Sequence, residues 1–262
     1  MRPGSRIRDE ILTCSLPGEG DLFAELAAST VWEDVGKGRR GAVLTRPDGT
    51  GGVPLVRTTT RYGNPAQRFR AVHERLARRV RELAGIPVGF DNALVERYTN
   101  AYTTMGGHSD QALDLADGSF IAVFSCYARP DAGPSRKLIV EAKESDGETG
   151  EAGETFEVPL THHGVVAFSV DANRRMRHRI VAERPVPAAD NEWLGVTFRT
   201  SKTLLRFHEG RAHLPRGERL VVADEEQARA FYRLRRRENA ETDFVYPPLT
   251  YTVSGSDLLP PV

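Results

Sequence analysis

From Phe90 to Phe207 the chain alternates short apolar stretches with turn-forming residues. Ala93–Tyr98, Phe120–Tyr127, Arg136–Ala142, Thr155–Pro159, Gly164–Ser169, Arg179–Ala182 and Trp193–Thr200 are rich in β-branched and aromatic side chains, as strands are. Strands this short bury their apolar faces only by stacking sheet on sheet or closing into a barrel. Glu144–Glu154, ESDGETGEAGE, reads as an exposed acidic hairpin loop between two of them.

Helices flank this region. In Ala66–Ala84, Phe69, Val72, Leu76, Val80 and Leu83 recur at helical steps, and Gly85 and Pro87 end the pattern. His73 and an arginine-rich set (Arg70, Arg75, Arg78, Arg79, Arg81) fall on its polar, solvated side. Asp224–Asn239 is a second helix, with acids first and bases last, the order its dipole favours. Residues 1–65 are broken by Gly and Pro, with candidate strands at Ala42–Leu44 and Leu55–Thr59. The expected fold is α+β and mostly β, a jelly roll buttressed by helices. It divides into an N-terminal substrate-side extension and buttressing helix (1–85), a catalytic core (86–207), and a C-terminal helix and tail packed on the core (208–262). Pro247, Pro248, Pro260 and Pro261 mark the tail as irregular.

Charge narrows the function classes. Lys plus Arg number 36 and Asp plus Glu 36, so no global field draws the chain to nucleic acid or acidic membranes. Cys14 and Cys126 lie far apart and form neither a zinc pattern nor a disulfide framework, which points to reduced thiols and a cytoplasmic setting. The N-terminus has no apolar core of a signal peptide, and no stretch reaches the roughly 20 apolar residues of a membrane span.

The chemistry sits at His108, Asp110 and His178. Two imidazoles and one carboxylate can cap one face of a ferrous ion and leave the opposite face open, as non-haem Fe(II) oxygenases do. His-x-Asp alone is weak evidence, but residues two apart on extended backbone face one side, so His108 and Asp110 can point at one ion while Ser109 points away. His178, at the mouth of a later strand, is preferred as third ligand over His162 and His163, read as turn residues, and over His73, His208 and His213. Arg199, in the apolar strand GVTFRTSKT, needs an anionic partner if buried and suits a dicarboxylate co-substrate such as 2-oxoglutarate. Ser201, with Thr203, can add hydroxyls to the same carboxylate, and Tyr98 its phenol.

These pieces resemble the AlkB-like members of the Fe(II)/2-oxoglutarate-dependent dioxygenases. TTTRYGNP (58–65) is similar to the substrate-side segment with a Tyr-Gly turn, and FDNALVERY (90–98) to the family's FN-x-x-L-x-N-x-Y strand. GGHSDQA (106–112) resembles the H-x-D-x-E loop. FIAVFSCYA, RKLIV, HHGVVAFSVDANRRMRHRI and the TFR of Thr197–Arg199 follow in the family's order. The resemblance implies a double-stranded β-helix and Fe(II) held by His108, Asp110 and His178. It also implies 2-oxoglutarate anchored by Arg199 and Tyr98, with O2 consumed and succinate and CO2 released. Two positions depart from the pattern. Glu96 stands where the family has Asn, and one of two arginines six apart is replaced, by Trp193 or by Leu205 according to register. Asp110 argues for hydroxylation, demethylation or desaturation over halogenation.

For the substrate, repair enzymes of this kind stack a flipped base between aromatics. Here aromatics make up 8% of the chain, and the Thr58–Phe69 segment carries Arg61, Tyr62, Asn64 and Arg68. A small polar substrate, nucleoside- or amino-acid-like, is preferred, with Arg57, Arg61 and Tyr62 as candidate contacts. An oxidative demethylase of alkylated nucleic acid bases is the second reading, and a non-catalytic jelly-roll binding module the third. Oligomeric state is not legible.

Overall fold

The computed structural model describes residues 6–18, 20–132, 136–143, 154–183 and 191–262. The acidic loop expected at Glu144–Glu154 lies outside them, apart from Glu154 itself. The amino-terminal part supplies β1 (Leu12–Ser15), α1 (Leu22–Ser29), β2 (Glu33–Gly36), β3 (Arg39–Thr45), β4 (Val53–Leu55), β5 (Gln67–Arg68) and α2 (Ala71–Leu83). The central part supplies β6 (Asn92–Tyr98), β7 (Phe120–Tyr127), β8 (Arg136–Ala142), β9 (Thr155–Pro159), β10 (Gly164–Ser169), α3 (Val170–Arg175), β11 (Met176–Ala182) and β12 (Trp193–Arg199). The remainder adds β13 (Thr203–His208), β14 (Arg211–His213), β15 (Val221–Val222), α4 (Glu225–Ala240) and β16 (Tyr251–Thr252). The protein is thus mostly β with helices added, an α+β fold.

The large sheet runs β1-β10-β7-β12-β6-β3-β2, antiparallel throughout, with β5 joined parallel to β3. Both faces of its central strands are buried, and side-chain alternation assigns each residue to one of them. Ala122, Phe124 and Cys126 of β7, Leu194, Val196 and Phe198 of β12, and Ala93 and Val95 of β6 pack with Leu22 and Leu26 of α1 and Val72, Leu76 and Val80 of α2. The alternate residues Ile121, Val123 and Tyr127, Trp193 and Tyr98 pack with Leu138 and Val140 of β8, Phe156 of β9 and Ile180 of β11. A second sheet, β11-β8-β9, therefore faces the first, and the space between them becomes the site. A third sheet, β14-β13-β4, carries its own small core of Val53, Leu55, Leu205 and Ala212.

Several sequence expectations shift. The first long helix begins at Ala71 rather than Ala66, because its leading residues are taken by other backbone: Arg68 N–H donates to Val262 O and Phe69 N–H to Thr45 O. His73 is not on a polar face. It is 1% exposed, its Nδ1 accepts from Arg70 N–H, and its Nε2 lies 3.1 Å from Ser29 Oγ. Leu83, expected in the apolar stripe, is exposed. The strand expected over Leu55–Thr59 ends at Leu55, since the Arg57 N–H and guanidinium are both claimed by Asp114. β11 starts three residues earlier than expected, which puts His178 inside the strand, opposite Val140. Among the described residues no helix is long and apolar enough to cross a membrane.

The tail packs rather than frays. Arg57 Nη1 donates to the carbonyls of Leu249 and Tyr251, Val262 N–H to Ala66 O, and β16 pairs with β15. Asp257, within the tail, is half-buried. Burial, then the nearby Asp114 charge, pushes its carboxyl up to about 7 against the pull of the Thr252 hydroxyl and Arg57. A folded-state value above that of the unfolded chain means the folded state binds the extra proton, so stability falls as pH rises from about 4 toward 7. Asp257→Asn should lose that decline in urea unfolding and exceed the native protein at pH 8; equal pH slopes would refute it.

Trp193 and Gly195 form a second tight spot. The indole folds over Gly195, where a Cβ would stand 2.0 Å from the ring, and Trp193 is 1% exposed. Gly195→Ala should destabilise by about 1–3 kcal/mol through overpacking. An unchanged denaturation midpoint would show that the indole can shift.

Candidate metal centre

The long connection after β6 carries His108 and Asp110, and neighbouring elements grip its backbone. His108 and His178 exchange backbone hydrogen bonds, 3.0 Å from His108 N–H and 2.7 Å from His178 N–H, which brings the loop alongside β11 as a one-residue bridge. Ser109 points away, as alternation requires, and its Oγ donates to Met176 O at 2.7 Å. Asp110 is fixed by Asn173 of α3: its N–H donates to Asn173 Oδ1, and Asn173 Nδ2 donates back to its carbonyl, both at 2.8 Å. Helix α4 closes over the loop. Asn239 Oδ1 accepts from Ser109 N–H, Glu238 Oε1 accepts from Ala112 N–H, and Arg235 Nη2 donates to Ser109 O.

The three side chains converge. Asp110 Oδ1 lies 3.8 Å from His108 Nε2 and 3.5 Å from His178 Nε2, and a donor atom from each of the three lies within 4.8 Å of the others. This is a set that can hold a metal ion, and two features fit it to a divalent cation that accepts mixed N/O ligands. His108 Nδ1 sits 3.0 Å from Gly106 O; donating there, it leaves the Nε2 lone pair facing Asp110. His108 is pushed down to about 4, by burial first and then by His178, so its imidazole is neutral at pH 7 and ready to ligate.

Asp110 is the most constrained member. Burial raises its pKa, but the Arg199 guanidinium, followed by His178 and His108, outweighs that and holds it well below the usual carboxylate range. Arg199 Nε and Nη2 reach Asp110 Oδ2 at 2.7 and 2.6 Å, with both side chains under a tenth exposed. One carboxylate oxygen is thereby tied to the arginine, and the other is aimed at the imidazoles.

The triad opens onto a cavity of about 370 Å³ between the two sheets. Val123, Leu138 and Ile180 give it apolar walls, and Thr58–Thr60, Tyr102, Gln111, Arg39 and Glu96 line the rest.

The other residues singled out from the sequence are distributed unevenly. Arg199 lines the cavity, but its anionic partner is Asp110. Tyr98 is fully buried behind the wall, and its hydroxyl donates to Glu96 Oε2 at 2.8 Å. Ser201 Oγ donates to Leu55 O, and Thr203 Oγ1 donates to Asp114, so both hydroxyls serve the fold. Arg57 borders the cavity while locked to Asp114; Arg61 is exposed, and Tyr62 is buried, neither of them in the cavity lining. Trp193 packs against Tyr98, with 4.8 Å between ring centroids, whereas Leu205 belongs to the third sheet. Sequence reading missed Arg39, Asn173, Arg235 and Asn239. The signal for the α4 contacts was a charged i, i+3 couple, Arg235 and Glu238, both of which prove buried along with Phe231 of the same helix.

No protein-family profile matches this chain, and no curated protein does. Among solved structures, that of OsALKBH1 is similar at 13% identity with a TM-score of 0.37, covering 62% of this chain and 78% of that one.

Arg199→Ala strands a buried carboxylate, so metal-free protein should lose about 3–5 kcal/mol in urea unfolding. A loss under about 1 kcal/mol would show that Asp110 finds another partner or takes up a proton without penalty.

Proposed function

We propose that this chain is an Fe(II)- and 2-oxoglutarate-dependent oxygenase, AlkB-like in its double-stranded β-helix, that oxidises a C–H bond of a small polar substrate. The observation that carries the reading is the convergence of His108, Asp110 and His178, with a ligand atom of each within 4.8 Å of the others, on the lining of one cavity. The ordered resemblance of the segments from Thr58 to Arg199 supports it, as does the facing of two antiparallel sheets around the site.

His108, Asp110 and His178 would hold the iron, which when bound supplies oxidative decarboxylation of the 2-oxo acid to succinate and CO2 and oxidation of the substrate by O2. The chain's own residues do the positioning. Arg199 fixes Asp110 so that a single oxygen faces the ligand site. Gly106 sets the His108 tautomer. Leu138, Ile180 and Val123 give the reacting side apolar walls. Thr58–Thr60, on the segment assigned to the substrate side of residues 1–85, line the cavity; the Thr58 hydroxyl donates to Thr60 O and the Thr60 hydroxyl accepts from Arg39, which leaves Thr59 and the backbone to meet a polar substrate. Near-zero net charge and the cavity's small volume favour a nucleoside- or amino-acid-sized molecule over a polymer bound through phosphates.

Anaerobic addition of Fe(II) and 2-oxoglutarate should produce a weak visible charge-transfer band, absent in His108→Ala and Asp110→Ala. A band of undiminished intensity in either variant would refute the assignment. Succinate release should then respond to nucleosides or amino acids; turnover confined to methylated oligonucleotides would give the demethylase reading instead.

A further inference from the structure

Four arginines line the cavity, and three of them are already committed to fixed partners. Arg199 is held by Asp110. Arg57 is forked onto both oxygens of Asp114, and its Nη1 reaches the carbonyls of Leu249 and Tyr251. Arg235 is engaged by Glu238, Tyr246 and Ser109 O. The side chains of these three are 4–9% exposed.

Arg39 differs. It stands on β3 opposite Tyr98, with its side chain 20% exposed. Its Nε and Nη2 share a single oxygen of Glu96, Oε1, and Nη2 also meets Thr60 Oγ1 at 3.1 Å. Neither contact uses Nη1. The other neighbours of the guanidinium are phenols, those of Tyr62 and Tyr102, which come within hydrogen-bonding range of it but bring no carboxylate. A group with five donors in a planar fork thus keeps an edge that meets no carboxylate among the described residues. The second Glu96 oxygen accepts from Tyr98, which anchors that carboxylate while it covers only part of the cation. Glycines on both neighbouring strands, Gly195 and Gly41, flank Glu96; the space is taken by the Trp193 indole on one side and the Tyr62 hydroxyl on the other. The cluster is built around the cation, and Tyr102 lines the cavity beside it.

We propose that Arg39 takes the distal carboxylate of the 2-oxo acid, and that Glu96 is the internal counter-ion that keeps this cation neutralised until the acid arrives. The proposal rests on the oxygenase reading and replaces the anchoring role first expected of Arg199. A dicarboxylate spanning the cavity would place its keto-acid end at the triad and its far end on the edge of Arg39 that no carboxylate covers, taking donors now shared with phenols; a planar fork suits carboxylate. Glu96 is a specificity device on this account. Its negative charge weakens the second carboxylate's hold, so affinity for the dicarboxylate is set by a balance that substitution can tip either way.

The test is calorimetric titration of the full-length protein loaded with Mn(II), using 2-oxoglutarate and 2-oxobutyrate, which shares the keto-acid end but lacks the distal carboxylate. The native protein should prefer 2-oxoglutarate by about 30-fold or more, the order expected for a desolvated charge pair. The double variant Arg39→Gln/Glu96→Gln, which leaves no charge unpaired, should bind both acids about equally while keeping its 2-oxobutyrate affinity. Glu96→Gln alone retains the cation and should widen the preference. A merely structural role would weaken both acids together. A double variant that still prefers the dicarboxylate, or a Glu96→Gln protein with a narrowed preference, overturns the assignment of Arg39 and leaves the oxygenase reading intact. A native protein that binds neither acid overturns both.

Discussion

The buried pair between Arg199 and Asp110 is the contact on which the site is built. It joins β12, in the middle of the large sheet, to the loop that carries two of the three candidate ligands. A carboxylate 6% exposed is stable as an anion only with such a partner. The pair also has a direction, because both guanidinium contacts fall on Oδ2 and leave Oδ1 toward the imidazoles. The surrounding polar contacts work to the same end: Asn173 grips the Asp110 backbone, Asn239 and Arg235 grip Ser109, and β11 grips His108. Separate elements, β11, β12, α3 and α4, therefore hold a loop that has little regular structure of its own. A ligand set needs that degree of fixing, and an ordinary surface loop does not.

The same arrangement decides the protonation states. Metal binding requires neutral imidazole and ionised carboxylate, and protons that must leave weaken affinity. Burial drives His108 toward its neutral form and Arg199 drives Asp110 toward its ionised form, so both stand ready at neutral pH before any ion arrives.

Local signals carry much of the fold. β6, β7, β8, β9, β10 and β12 are legible because their apolar residues are continuous or alternating, and α4 because its capping Asp224 and charge order agree with its periodicity. What escapes depends on distant partners. The start of α2 is hidden because Arg68 and Phe69 look helical in sequence, yet their N–H groups pair with the last residue of the chain and with β3. His73 falls on a polar-looking face whose neighbour in space is Ser29, at the end of α1. At the site, spacing locates the triad, since His108 and Asp110 stand two apart and His178 lies where a strand begins. The partners of the charged residues are not legible. Arg199 suggests a co-substrate, but its anion is Asp110, 89 positions away, and nothing local in the sequence reveals that pairing. Ser201 suggests the same co-substrate, but Leu55 O takes its hydroxyl. Arg39 is missed for the same reason, since its partner Glu96 is 57 positions away on the neighbouring strand.

The central claim is that His108, Asp110 and His178 bind one cation together. X-ray absorption of the Fe(II)-loaded protein at the iron edge tests it most directly. The account predicts scattering from two imidazole rings and a carboxylate, falling to one ring in His178→Ala. A native spectrum without imidazole scattering, or one that His178→Ala leaves unchanged, would contradict it.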